Sequence, residues 1–525
     1  MAASLLPPLP TAFLEGRDLD LLRPLSFVTG PGDPAPASPG VDRGELAEAL
    51  ATANAGYGHP RAAQLAELLA DPATEVVVTG QQPGLLGGPL YTLSKAVAAE
   101  LWAQRRREQG RRAVSVFWVA TEDHDFLEVA RGLVLGPDAP VAFDLGEDPQ
   151  PLMPVGMRTM GAPLTAALAT FRDANPGDRW QAWSDRLAGW YRPDARFGEA
   201  FCRLLAGLLG DRCPLLLDSM LPALKRGQRP WLRRMVEKRR EIERALAERD
   251  REIAGRGYDL QVTPQPGASP LFVIHGAERR RVEWLDDDRL ALRGKEQSET
   301  DVAWLLETIE ENPSVVSPGV LGRAPLQDAV LGSSTLVFGP GEVSYIPQVA
   351  PVYELLRIRP PAVFLRPQAM VLGAHQLDKL AALELGLADL LADDFDLDRF
   401  VARGGEEELV APVRERFARE LASLEEASLA IDKNLEGPWR KTRGQIERAL
   451  DTFSGKVAAA LARSNELERR RVRDLRDTCR PLGSLQERAV SVAHFPGKYG
   501  DGLVEAYFEQ LELDPRRLQV VCPQW

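Results

Sequence analysis

The chain has 525 residues, 44% of them apolar and 27% charged, with a formal net charge of -12. That length exceeds what one hydrophobic core usually supports, so a main domain with an appended element is expected. The acidic balance argues against general affinity for nucleic acid or an anionic membrane, and Cys202, Cys213, Cys479 and Cys522, with no CxxC pair, argue against a zinc knuckle or disulfide framework and fit a reducing cytoplasm.

From Met1 to Leu14 there is no basic leader, and Pro7, Pro8 and Pro10 spoil a signal-peptide helix. No uncharged apolar run approaches a membrane span in length. Gly30 to Gly40, GPGDPAPASPG, predicts an irregular loop. Val76-Val77-Val78 is a β-branched strand signal, followed by a Gly-rich turn and by Leu90 to Arg107 with helical composition. Ala113 to Ala120, AVSVFWVA, is a second, almost wholly apolar strand. Strand, helix and strand with uniformly apolar strands predict an α/β fold with a parallel sheet covered on both faces. Arg105-Arg106-Arg107 and the Arg-rich stretch from Arg233 to Arg251 are interleaved with Glu or apolar residues and read as solvated helix faces.

Pro151 to about Gly257 reads as mostly helical insertion with one strand candidate at Pro214 to Asp218, and strand signals return at Leu271 to His275 and Leu336 to Phe338. From Glu406, Phe417, Leu421, Leu424, Ser428, Ile431 and Leu435 recur at spacings of four and three, as do Ile446, Leu450, Phe453, Val457, Ala460, Ser464 and Leu467. These are coiled-coil seams. Gly437-Pro438 between them predicts the break of an antiparallel hairpin. Leu518 to Val521 is expected to supply a last strand to the core. The expected division is a core over 1–380 with insertions at about 150–260, a coiled-coil arm over 381–484, and a C-terminal return over 485–525. Imperfect seams leave apolar surface that a homodimer through the arm would cover.

Three constellations carry chemistry. Thr79-Gly80-Gln81-Gln82-Pro83-Gly84, continuing to Lys95, lies between strand and helix at the carboxyl edge of the sheet, where open α/β folds bind ligands. Glycines permit close backbone approach, and the helix start offers N–H groups to an anion, so Thr79, Gly80, Gln81, Gln82 and Lys95 are candidate substrate or nucleotide contacts. Glu122-Asp123-His124-Asp125 directly follows the second strand. Four adjacent ionisable residues must be solvated, paired or bound to a cation; they could hold an ammonium, coordinate magnesium, supply His124 as general base, or cap the next helix through Asp123 or Asp125. Gly339, Gly341 and Glu342 form a third strand-to-turn site, with Glu342 either a cap or a cleft residue. Arg323, Gln327 and Asp328 are a polar group that spacing does not assign. His59, His275, His375 and His494 lack partners at ligand spacing, and no HExxH occurs, so no zinc or other protein metal site is predicted.

TGQQPGLLGGPLYTLSK from Thr79 to Lys95, FWVATEDHDF from Phe117 to Phe126, GPGE at Gly339 to Glu342 with Tyr345, and LQER at Leu485 to Arg488 with Tyr499-Gly500 together resemble the cysteine ligases of bacillithiol biosynthesis, the BshC family. The resemblance spans nearly the whole chain. It departs where Ala324 interrupts an expected Arg-Pro-Leu run after Arg323, and where Thr121 replaces a smaller residue. It implies a Rossmann-like core with helical connecting insertions, a C-terminal antiparallel coiled-coil arm forming a homodimer, and addition of cysteine to glucosaminyl-malate to give bacillithiol. Amide formation in water needs an activated carboxyl, so ATP, with magnesium, is the expected energy source, although HIGH and KMSKS signatures are absent. The competing functions are another nucleotidylyltransferase or amino-acid-activating ligase of the same fold and, against the density of charge at Glu122 to Asp125, a non-catalytic scaffold.

Overall fold

The computed structural model describes residues 5–33, 40–263, 265, 267–397, 400 and 406–524, with the side chains of 406–410, 455 and 458–465 outside that description. Most of the Gly30 to Gly40 loop is outside the described residues. In chain order the strands are β1 (Ser26–Val28), β2 (Glu75–Gln81), β3 (Ala113–Val119), the hairpin β4 (Arg131–Leu135) and β5 (Pro140–Asp144), and β6 (Leu215–Asp218). Then come β7 (Ala268–His275), β8 (Glu278–Trp284), β9 (Arg289–Arg293), β10 (Ser298–Asp301), β11 (Val316–Pro318), β12 (Ser333–Phe338), β13 (Ala362–Leu365), β14 (Gln368–Val371) and β15 (Leu518–Val521).

Six strands form one parallel sheet in the order β1-β13-β12-β2-β3-β6. Successive residues of β2 face opposite sides, so Val76 and Val78 pack with Trp118 and Leu336 while Val77 packs with Trp102 and Phe364. Both faces are buried, which is why Val76-Val77-Val78 and most of Ala113–Val119 are apolar. From β2 the chain builds outward through β3 and β6, and from β12 it builds the other way through β13. The strand order therefore reverses between β2 and β12, and the crevice at such a switch point is where open α/β sheets bind ligands.

A five-stranded antiparallel sheet, β10-β9-β8-β7-β11, was legible only at Leu271 to His275. Its strands are half-buried: in β8, Val282 and Trp284 are buried while Glu283 between them and Arg281 before them are not, and this charged alternation hid the strand. The C-terminal strand is a correction. β15 pairs with β14 in a separate two-stranded sheet rather than joining the core sheet. Beside β14, Ala369 N donates to Glu487 at 3.1 Å and Val371 N donates to Gln486 at 2.8 Å, so side chains satisfy backbone donors that a further strand would have taken. The N-terminal prolines also do not prevent a helix. Pro8–Leu14 is helical with its prolines in the first turn, where no N–H is needed, and Leu9 and Phe13 are buried.

The chain divides into two compact units, Met1–Ala374 with Ser484–Trp525, and His375–Gly483. In the second, helices Glu406–Ile431 and Glu436–Cys479 run antiparallel, as the cross-helix pairs Arg414–Asp451 (2.8 Å) and Arg443–Glu425 (3.1 Å) require. The break falls at Asp432 to Leu435 and not at Gly437-Pro438. Asp432 accepts from Asn434 N at 2.9 Å to turn the chain, and Pro438 sits in the first turn of the second helix, where it is tolerated. Of the two seams, Leu421 is buried, whereas Phe417, Leu424, Ile431, Leu435, Phe453 and Leu467 are exposed; the side chains of Ala460 and Ser464 are outside the described residues.

Candidate active site

The ends of β2, β3 and β12 open onto one cavity of about 680 Å³, within the size range of small-molecule sites. Gly80, Gln81 and Gln82, then Glu122 and Asp123, then Gly339, Gly341 and Glu342, together with Lys95, line it. Gly80 is required by contact: a Cβ there would lie 2.7 Å from the Trp118 carbonyl oxygen on the neighbouring strand.

One wall is cationic. Lys95, buried on the helix Tyr91–Glu108, donates to the Gly80 carbonyl at 2.8 Å and to Gln81 Oε1 at 3.0 Å and pairs with Glu342 at 2.5 Å. Burial lowers its pKa against the opposing pull of Glu342. Glu342 also caps its own helix by accepting from Gly339 N at 2.9 Å, so the cap and cleft roles coincide. Arg323 donates to the Tyr345 hydroxyl at 2.7 Å and lies 3.5 Å from Glu342. Arg366 is held by two 2.9 Å bonds to the buried carboxylate of Glu487, and Arg488 completes the wall. Four cations, Lys95, Arg323, Arg366 and Arg488, face two carboxylates, Glu342 and Glu487, leaving an excess of two positive charges.

The opposite wall is acidic. Glu122 is buried and ion-paired to buried Lys225, yet its Oε1 has no partner among the described residues. Asp123 accepts from Gln82 Nε2 at 2.8 Å. A carboxylate only accepts, so this bond fixes the orientation of the Gln82 amide, and the buried Gln82 Oε1 is a second acceptor without a donor. Glu128, on the short helix Phe126–Val129, completes this wall. Burial, then Asp125 and Asp123, raise the pKa of its carboxyl.

The remaining predicted residues lie apart from the cavity lining. Thr79 donates its hydroxyl to the Val337 carbonyl at 2.7 Å, tying β2 to β12. Asp125 caps the helix Phe126–Val129 by accepting from Glu128 N at 3.2 Å. His124 stands behind Asp123 with Nδ1 3.2 Å from Arg279 Nη1, and burial and then Arg279 lower its pKa. The helix start before Lys95 is a correction: Leu90 N donates to the Val490 carbonyl, Thr92 N to Pro89, and Leu93 and Ser94 N to Leu90. The C-terminal segment packs over this turn, so these N–H groups are not offered to an anion, and Lys95 with the three arginines supplies the positive charge. Thr121 donates to Asp218 and does not line the cavity. His59 Nε2 bonds the Cys213 carbonyl at 3.0 Å, a structural role.

Glu128, Tyr91 and Arg366 also line the cavity without having stood out as site residues in the sequence, and Arg323, which spacing does not assign, joins them. Glu128 carried a signal, since it lies three residues beyond Asp125 on the same loop and helix. Arg366, in the run FLRP after β13, carried none. Arg279 was hidden in a charged run on β8; it is buried, stacks 3.9 Å over Phe272 and donates to Ser317 Oγ at 3.0 Å and the Pro318 carbonyl at 2.7 Å.

Residues 35–367 match the family described as "Bacillithiol biosynthesis BshC, N-terminal Rossmann-like domain", and residues 369–521 match "Bacillithiol biosynthesis BshC, C-terminal coiled-coil domain". Among similar proteins, one named "Putative cysteine ligase BshC" from Salinibacter ruber is 30% identical over 502 residues, covering 92% of this chain and 89% of the relative. Relatives of the same name from Solibacter usitatus (28% identical, 85% of this chain, 84% of the relative) and Geobacillus kaustophilus (27%, 84% and 82%) align over similar spans.

Proposed function

The chain belongs to the BshC family of bacillithiol biosynthesis, and from that premise we propose that it is a ligase joining the carboxyl group of L-cysteine to the amine of glucosaminyl-malate. The observation that carries the substrate assignment is the two-walled cavity. Adjacent residues at the end of β2 point to opposite sides, Gln81 to Lys95 and Gln82 to Asp123. A ligand spanning the two walls must be anionic at one end and rich in N–H or O–H donors at the other. Glucosaminyl-malate has that character, with malyl carboxylates for the cationic wall and an amine and hydroxyls for the accessible carboxylates of Asp123 and Glu128.

Forming an amide requires an activated cysteine carboxyl, and ATP is the proposed activator, its phosphates competing for or sharing the cationic wall. Magnesium is proposed to accompany the triphosphate, since this ion is usually held by phosphates with one or two carboxylates. The four free thiols fit a reducing cytoplasm, and among the described residues no helix is long and apolar enough to cross a membrane. The exposed apolar residues of the hairpin support a homodimer through the arm. Another amino-acid-activating ligase or nucleotidylyltransferase of this fold is less favoured, because relatives matching both units carry the cysteine ligase name.

Purified protein given cysteine, glucosaminyl-malate and ATP is expected to form bacillithiol, and a deletion strain is expected to lose it. Normal bacillithiol in a deletion strain with no second gene copy would overturn the assignment.

A further inference from the structure

We infer that Glu128, and not His124, takes the proton that the substrate amine sheds as the amide bond forms, and that His124 is a positioning residue locked against Arg279. The inference rests on the ligase reaction proposed above.

Arg279 Nη1 lies 3.2 Å from His124 Nδ1. A guanidinium has no lone pair to offer, so Nδ1 must be the acceptor, and the ring is neutral with its proton on Nε2. Protonating His124 would drive an N–H against the guanidinium. Arg279 cannot readily turn away, because the Ser317 and Pro318 bonds and the Phe272 ring fix it. The imidazole is therefore blocked at one nitrogen and already protonated at the other, and it does not line the cavity. Arg279 also lies 3.5 Å from Asp123, and the His124 backbone N donates to Asp123 Oδ1 at 2.7 Å, so Arg279, fixed against the His124 ring, and the His124 backbone together hold Asp123 in the acidic wall.

Glu128 has what His124 lacks. It lines the cavity at a solvent-accessible position, where a proton received from a substrate can pass on to water. Partial burial of the carboxyl, then Asp125 and Asp123 from its own loop, raise its proton affinity, while Gln82 just after β2 and Lys95 moderate it. A carboxylate poised above its ordinary range is a better proton acceptor near neutral pH. In the step assigned here, the amine nitrogen forms the C–N bond to the activated cysteine carboxyl. The C–O bond to the phosphate-bearing leaving group breaks with its electron pair, the proton on nitrogen moves to the Glu128 carboxylate, and Glu128 returns it to solvent. The co-reactant that supplies the leaving group is a nucleoside triphosphate.

The test compares wild type, Glu128→Gln and His124→Gln, all full length, with cysteine, ATP and either glucosaminyl-malate or hydroxylamine. Hydroxylamine is uncharged at neutral pH and reports carboxyl activation as cysteine hydroxamate. Glu128→Gln is expected to lower kcat for bacillithiol on the order of 100-fold and to abolish the acid limb of the pH-rate profile, with hydroxamate formation retained. His124→Gln, whose amide oxygen can still accept from Arg279, is expected to lose only a few-fold with the acid limb unmoved. If Glu128→Gln keeps both turnover and the limb while His124→Gln loses them, the inference is overturned. Wild type that makes neither bacillithiol nor hydroxamate fails the ligase assignment instead, and the inference with it.

Discussion

Lys95 Nζ and Glu342 Oε2 lie 2.5 Å apart, joining the helix that follows β2 to the turn that follows β12 across the point where the strand order reverses. The pair is almost wholly enclosed, with side-chain exposures of 5% and 15%. Breaking a buried pair costs about 3–5 kcal/mol, and the lower end is expected here because Glu342 keeps Arg323 at 3.5 Å and the Gly339 N–H, whereas replacing both members with apolar residues of similar volume is often milder. Lys95→Met is therefore expected to lower unfolding free energy by about that amount, and Lys95→Met with Glu342→Leu to recover only part of it, since Glu342→Leu also removes the Gly339 cap and the carboxylate beside Arg323. Urea denaturation of the four proteins in the cycle checks this; equal losses in the single and double variants would show that the pair is not coupled.

Gly80→Ala is expected to destabilise by about 1–3 kcal/mol, the usual cost of overpacking, because its methyl group meets the Trp118 backbone oxygen rather than a side chain that can swing away. The same displacement moves Gln81 and Gln82, so kcat/KM should fall as well. Denaturation and steady-state kinetics on one preparation measure both, and unchanged stability would mean that β2 and β3 can separate freely.

Asp328 is buried beneath the cationic wall, accepting from the Tyr353 hydroxyl at 2.5 Å and Gln327 Nε2 at 3.1 Å, and burial pushes its pKa up to about 6. An unfolded aspartate titrates near roughly 3.9. The folded state therefore holds the proton more tightly, so the stabilising contribution is complete below the unfolded value and is lost as pH rises through about 6. Relative to Asp328→Asn, wild type should be most stable near pH 4 and lose that advantage by pH 7.5. Melting temperatures of both across this window check the sign, and a difference independent of pH would refute it.

The proposed homodimer makes a separate prediction. Phe453 and Leu467 are 64% and 59% exposed on the hairpin, and replacing both with lysine should convert a dimer to a monomer at micromolar concentration while the helices remain. Sedimentation and circular dichroism measure the two properties. A wild-type chain that sediments as a monomer would remove the dimer.

Local chemistry alone determined the parallel sheet, the helical hairpin and three of the turns that line the cavity. Val76 to Val78 are apolar at every position, and Ala113 to Val119 at every position but Ser115, because both faces of their sheet are buried, a signal that needs no knowledge of neighbours. The seams of the hairpin are likewise written in four-and-three spacing. Sequence could not show which polar residues in those turns face the cavity, since adjacent residues such as Gln81 and Gln82 point to opposite walls and Thr79 faces β12. Nor could it find Arg279, Arg366 or Glu487, whose roles exist only through partners distant in the chain: Glu487 meets Arg366 across 121 positions and Arg279 meets His124 across 155. Apolar pattern reports the type of element and, for the strands, that both faces are covered, but the proton and charge states of this site depend on which donor stands opposite which acceptor. Tertiary packing alone brings those atoms within hydrogen-bond distance, and it is the cation facing Nδ1 that decides what His124 can do.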